Sequence, residues 1–349
     1  MEYLSEILKI LDGALKANAS MASNYAGLLA DKLEGDGDKR QARMIRERLA
    51  RAPTALATAQ DAANGFSLTN LPTDGESHLH TVDVSRPVVD KESLLLSSAV
   101  ASRVDEFLAN IRRFDDLARV GAATASRLLT YGPPGTGKTK LARYVAAHLE
   151  LPLLTVRCDT LISSLLGQTS RNLRRVFEYS QQQPCVLFLD EFDALAGARG
   201  NERDVGELQR VVISLLQNID AVPESTIIVA ATNHDQLLDP AIWRRFSFRI
   251  PMAEPDGRLR KLLWKQYLEP FSSDALDFDN LAKISKGITG ANIEQVCLDT
   301  KRAVVLSNQS SIDEDELLRR LGLNLALGTG RVLSSVESEI RWLNGWAPK

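Results

Sequence analysis

Apolar residues recur at three- and four-residue steps from the start of the chain, at Leu4, Ile7, Leu8, Leu11 and Leu15, and this period predicts an amphipathic helix. The run EGDGD, Glu34 to Asp38, breaks the pattern. KRQARMIRERLARA then predicts more helix, with Lys39, Arg40, Arg43, Arg46, Arg48 and Arg51 mostly on its polar face. From about Gln60 to Pro87 the chain turns to Asn, Gly, Ser, Thr, Pro and Asp, the chemistry of a loop or linker. Residues 88–127 read as helical again, on Leu94 to Leu96, Val100, Val104, Phe107, Leu108 and Ile111. Short, wholly apolar runs follow, among them VLFL and IIVAA, with helical stretches between them. Such runs predict strands buried in an open parallel sheet with helices on both faces, an α/β fold. EPDGRLRKLLWKQYLEPF and the segments out to about Leu327 read as short amphipathic helices. Val332, Val336, Ile340 and Leu343 form a last stripe, with Trp342 and Trp346 close by.

The apolar runs end in residues that carry chemistry. LLTYGPPGTGKTKLARYVAAHL is a strand, a loop and a helix, and its loop Gly132-Pro133-Pro134-Gly135-Thr136-Gly137-Lys138-Thr139 fits G-x-x-x-x-G-K-[ST] at every fixed position. Glycines let backbone N–H groups turn inward around phosphate oxygens, and the helix that follows points its positive end at the same place. Lys138 is expected to reach the β- and γ-phosphates and Thr139 to ligate Mg²⁺, with Lys140 counted among the nucleotide-binding residues. About fifty residues on, CVLFLDEFDAL ends its apolar run in Asp190-Glu191. Asp190 is placed to hold the water shell of the ion, and Glu191 to polarise an attacking water, which makes the chain a hydrolase. TIIVAATN ends in Asn233, a candidate donor to the γ-phosphate or the lytic water. LDPAIWRRFSFRI sets Arg244 and Arg245 side by side among Ile242, Trp243, Phe246 and Phe248, leaving two guanidiniums that need water or an anion.

YGPPGTGKTKLA, VLFLDEFDAL, IIVAATN, LDPAIWRRF and GITGANIEQVC (Gly287 to Cys297) resemble, in this order, the motifs of the AAA ATPases, over about Leu128 to Leu306. The compact RRF is similar to the form in spastin- and katanin-like members. The resemblance implies a P-loop NTPase sheet, a small helical lid, ATP and Mg²⁺ as ligands, and a homo-hexameric ring. It makes Asn233 the sensor residue, Arg244 and Arg245 fingers that enter the next subunit's nucleotide pocket, and Gly290 and Ala291 neighbours of the adenine. It also sets Leu165, Leu166 and Gly167 in a pore loop that grips a protein substrate, although many members carry an aromatic where this chain has Leu165. The second pore loop falls at Gly197 to Glu207, and Asn292 stands where Asp is common. The layout expected is a helical, partner-selecting domain at 1–60, a linker at 61–87, the large ATPase subdomain at 88–252, the lid at 253–328 and a helical tail at 329–349.

Composition narrows the rest. The chain has 349 residues, 44% hydrophobic and 25% charged, with a net charge of −3, which is ordinary globular composition and argues against a generic polyanion binder. No run approaches the roughly 18 apolar residues that a membrane span needs. The acidic start lacks a basic leader, so a cytoplasmic location is expected. Cys158, Cys185 and Cys297 read as core thiols, and His78 with His80 is too small a set for a metal site. Three uses of the ATP stay open: remodelling, unfolding or threading of a protein substrate, nucleic-acid-directed work through the basic helix, and nucleotide-controlled assembly of a scaffold. No H-E-x-x-H or G-x-S-x-G occurs, so any proteolysis belongs to a separately encoded partner, reached through the N-terminal domain.

Overall fold

The computed structural model describes residues 3–15, 19–50, 82–89, 94–161, 166–196, 205–271, 276–309 and 311–328. The tail stripe from Val332 to Trp346, His78 and His80, and Leu165 lie outside them. The described residues form two compact units, Met1–Ser93 with Ser102–Tyr131 and Thr139–Pro251, and Leu94–Ala101 with Gly132–Lys138 and Met252–Lys349.

The first unit is built on a six-stranded sheet, β1 (Val82–Ser85), β2 (Arg127–Tyr131), β3 (Leu153–Arg157), β4 (Val186–Asp190), β5 (Ile227–Thr232) and β6 (Phe248–Pro251). Their order is β1-β3-β4-β5-β2-β6, parallel throughout except that β1 runs antiparallel along the edge of β3. The stretch read as linker thus contains an edge strand. Four residues paired to one neighbour are too short a signal to register against polar surroundings. The apolar runs are buried on both faces, as helix-covered parallel strands must be: Val186 to Leu189 and Ile228 to Ala231 are all 1% exposed or less. Each large side chain so buried contributes about 1.5–3 kcal/mol.

Helices α4 (Ser98–Arg112) and α5 (Phe114–Arg119) precede β2. The helix expected across 88–127 is therefore cut at both ends, and beyond α5 the chain turns at Gly121, whose φ of +71° suits a residue without Cβ. Around the sheet lie α6 (Lys138–His148), α7 (Cys158–Leu161), α8 (Leu166–Ser180), α9 (Asp193–Ala196), α10 (Val205–Ala221) and α11 (Pro240–Arg245). One core takes Leu154, Phe177, Leu187, Phe192, Leu215 and Phe246 from these elements.

The N-terminal helices α1 (Leu4–Leu15), α2 (Ala19–Gly35) and α3 (Lys39–Ala50) belong to the same unit. α1 keeps Ile7, Leu8 and Leu11 at the surface and buries Glu6 and Lys9 instead, with Glu6 paired to Lys32 at 2.5 Å. Glu6 can be buried because it is paired, while Lys32 stays partly exposed. On α3, Arg46 lies between Asp31 and Glu34, and Arg43 pairs with Glu47.

In the second unit, α12 (Gly257–Leu268), α13 (Phe278–Ile284), α14 (Gly290–Leu306) and α15 (Glu314–Gly328) pack round the fully buried Trp264, whose indole N–H donates to Ser285 Oγ at 3.0 Å. Asp256 caps α12 by accepting from Leu259 N, and Thr289 caps α14. The three cysteines are free and buried, and burial pushes the Cys185 thiol up to about 12, so they behave as small apolar residues. No helix among the described residues is long and apolar enough to cross a membrane.

Candidate active site

The glycine loop is shaped by its own neighbours. Gly132 has φ +139° and a Cβ there would strike the Met252 carbonyl, while Gly135 has φ +76° and a Cβ would meet Thr289 Oγ1 at 2.7 Å. Only glycine allows both the backbone and the approach. The Gly135 carbonyl accepts from Ala291 N at 3.1 Å, so the first turn of α14 is tied to the loop. Gly290 and Ala291, expected near the adenine, are thus brought to the loop itself. Thr289, Met252 and Leu94 also line it, and no motif in the sequence marks them. Lys138 Nζ donates to the carbonyls of Gly132 and Pro133, each at 2.7 Å, which keeps the ammonium in the turn of the loop. Thr136 Oγ1 donates to Pro133 O at 2.9 Å and tightens the same turn. Crowded glycines, an inward lysine and the positive end of α6 together fit a chain of phosphates.

Gly132→Ala tests that fit. The strain of a Cβ at this φ is of order 1–3 kcal/mol, so a roughly tenfold or greater loss of nucleotide affinity is expected in a titration with a fluorescent ATP analogue. Unchanged affinity would show that the loop tolerates the Cβ and that the cradle is looser than its contacts imply.

Within the sheet unit, parallel pairing brings the acidic strand end beside its neighbours. Thr139 Oγ1 donates to Asp190 Oδ2 at 3.2 Å, the arrangement that can share one hydrated divalent cation. Glu191 follows with φ +52°, a left-handed turn that costs a non-glycine residue energy and recurs at functional sites. The turn is held on both sides, since Glu191 N donates to Asp190 Oδ1 at 3.0 Å and Phe192 N to Ala231 O at 2.9 Å. Loss of hydration raises the Glu191 carboxyl above its ordinary value, and Asp159 and Asp190 raise it further while Arg157 opposes them. Arg157 reaches this corner because β3–β4 register sets it against Asp190. Its guanidinium binds Asp159 at 2.8 Å and comes within 4.0 Å of Glu191. A carboxylate with a raised pKa is a better proton acceptor for water than an ordinary one.

Asn233 stands at the end of β5, where its N–H donates to Asp193 Oδ1 at 3.3 Å, the same oxygen that accepts from Thr232 Oγ1 at 2.8 Å. Asp193 thereby joins the ends of β4 and β5. Nothing in DEFDAL read alone marks this second aspartate as a junction.

The arginine pair sits on α11, whose buried Ile242 and the following Phe246 lock it to the core. Tyr131 and Phe192 meet Trp243 and Phe246 edge to face, with ring centroids 5.1 and 5.8 Å apart. Arg245 is drawn to its own chain: Nε and Nη2 reach Asp220 at 2.7–3.0 Å, and Nη1 donates to Ala241 O at 2.9 Å. Arg244 is exposed and has no hydrogen bond or ion pair among the described residues. Leu166 and Gly167 begin α8, whereas Leu165 and most of Gly197 to Glu207 lie outside the described residues.

Comparison with known proteins bears on the same segments. The sequence profile described as "ATPase family associated with various cellular activities (AAA)" matches residues 128–253. The chain is 37% identical over 297 residues to "Uncharacterized AAA family ATPase y4kL" of Sinorhizobium fredii, covering 84% of this chain and 87% of that one. It is 34% identical over 250 residues to "ATP-dependent zinc metalloprotease FtsH" of Mycobacterium tuberculosis, covering 68% of this chain and 32% of that protein. It is 31% identical over 209 residues to "Proteasome-activating nucleotidase" of Methanopyrus kandleri, covering 58% of this chain and 48% of that one. The last two similarities therefore span half or less of the relative.

Proposed function

The chain belongs to the AAA family of ATPases and is an ATP hydrolase, and from that premise we propose that a ring of six copies uses the hydrolysis to remodel or unfold a protein substrate. Lys138 and the loop N–H groups would hold the β- and γ-phosphates, and Thr139 with Asp190 would hold Mg²⁺ and its waters. The ion would neutralise charge that develops on the phosphate oxygens. Glu191 takes a proton from the attacking water as its oxygen bonds to the γ-phosphorus, the bond to the β-γ bridging oxygen breaks, and ADP and phosphate result. Asn233, positioned through Asp193, orients that water.

The observation that carries the ring is where the arginines lie. Arg245 is bound to Asp220, two residues from Val222, whose carbonyl accepts from Arg127, the first residue of β2. Glu191 and Asn233 follow the opposite, carboxyl ends of their strands, roughly 13 Å away along β2. Arg245 is thus held at the amino edge of its own sheet, and Arg244 beside it, exposed and without a hydrogen bond or ion pair among the described residues, is left to serve a neighbour's γ-phosphate. A head-to-tail contact of this kind closes into a ring.

The names of the relatives, a proteasome-activating nucleotidase and an ATP-dependent metalloprotease, favour a protein substrate. α1 to α3 form the partner-selecting region, with the lid at 253–328. Pairing of Arg43 with Glu47 on α3, and of Arg46 with Asp31 and Glu34 on α2, leaves less free positive charge for a polyanion, which weighs against the nucleic-acid reading. A leucine at position 165 can grip an extended chain through apolar area, at about 25 cal/mol per Å² buried. A permanently unfolded model polypeptide should therefore stimulate phosphate release several-fold, and Leu165→Ala should lose that stimulation while keeping the basal rate. No stimulation of the parent chain would count against remodelling.

A further inference from the structure

We infer that the two arginines of α11 do different jobs: Arg244 alone enters the neighbouring pocket, and Arg245, clamped by Asp220, is the positioning residue that fixes the turn carrying it. The inference deepens the reading of a ring with trans-acting arginines and rests on it.

The contacts divide the pair unequally. To leave its own chain, Arg245 must give up two nitrogens on the Asp220 carboxylate and a third on the Ala241 carbonyl. Arg244 gives up nothing of that kind among the described residues. Arg249 is also committed, donating to the carbonyls of Trp243 at 2.6 Å and Phe246 at 3.2 Å while its guanidinium lies over the Trp243 ring. The carboxyl end of α11 is thus braced from both sides, and the arginine between the braces is the one left exposed.

Asp220 is placed for this role. It sits in the last turn of α10, where the helix dipole disfavours an acid, so a cation beside it is favourable. Ile219 and Val222 beside it are buried, as are Ile242 and Phe246 beside Arg245, so both ends of the ion pair are anchored in one core. A bidentate arginine–carboxylate pair on fixed supports sets orientation as well as distance. Misplacing a transition-state charge by about 1 Å is enough to cost up to about 100-fold in rate.

The test is a cycle on kcat, measured by steady-state phosphate release from assembled protein, with KM for ATP recorded alongside. Asp220→Asn and Arg245→Ala should each lower kcat about tenfold with KM within about twofold. The double variant should fall no further, because both changes break one pair. Asp220→Glu, which keeps the carboxylate, should recover most of the rate. Arg127 also feels the Asp220 charge, so loss of that charge can lower stability. Glu224→Gln, which removes another acid beside Arg127, controls for this: a melting shift without a kcat change is expected. The inference is overturned if Asp220→Asn assembles and keeps the parent kcat while Arg245→Ala falls as far as Arg244→Ala, or if the two losses add. Failure of the ring reading looks different: the variants and the parent alike would not assemble with ATP.

Discussion

Glu191→Gln keeps its affinity for ATP and loses turnover by about 10²–10⁴-fold, the usual contribution of a positioned general base. The amide matches the carboxylate in size, so the left-handed turn and the Phe192 N–H bond to Ala231 survive the change. What disappears is the proton acceptor, together with the charge that Asp159 and Asp190 crowd. A charge repelled by its neighbours is not missed by the fold, and no loss of thermal stability is expected. Nucleotide binding and single-turnover phosphate release, measured on the same preparation, separate the two effects. Turnover within a few-fold of the parent would remove Glu191 from the chemistry.

Arg244→Ala falls further, by about 10³–10⁵-fold, the range over which a phosphoryl-transfer arginine acts. The loss belongs to the neighbour's pocket, so it can be repaired by another subunit. Mixed with Lys138→Ala, whose arginines are intact and whose loop is not, the Arg244→Ala chain should recover a sizeable fraction of parental turnover. Recovery should peak at intermediate ratios, where pairs of an intact pocket and an intact finger are commonest. Flat, additive rates at every ratio would mean that the arginine works inside its own chain or not at all.

The parts of this site that the sequence disclosed are those fixed by contiguous residue types. Gly132 to Thr139 must follow one spacing because a backbone cradle allows little else. Asp190 and Asn233 end apolar runs because buried parallel strands deliver their next residues to the active edge. The apolar runs gave the sheet itself, with β1 missed because four edge residues bury little. Contacts between distant positions left no trace: Asp220 lies 25 residues before Arg245, and nothing in RRF reveals that one of its arginines is held. Thr289 and Met252, which crowd the loop glycines, are ordinary residues made special by the approach of backbone. α1 shows the limit of periodicity, for its apolar stripe is plain in the sequence, yet Ile7, Leu8 and Leu11 stay exposed while Glu6, paired with Lys32, and Lys9 are buried.

Assembly into a ring is tested most directly by the mass of the Glu191→Gln chain in solution, by light scattering after size exclusion. With ATP and Mg²⁺ the 38.4 kDa chain should shift to a species of about six copies that falls apart when nucleotide is withdrawn. A chain that binds ATP yet stays monomeric would contradict the central claim, because Arg244 would then have no neighbouring pocket to enter.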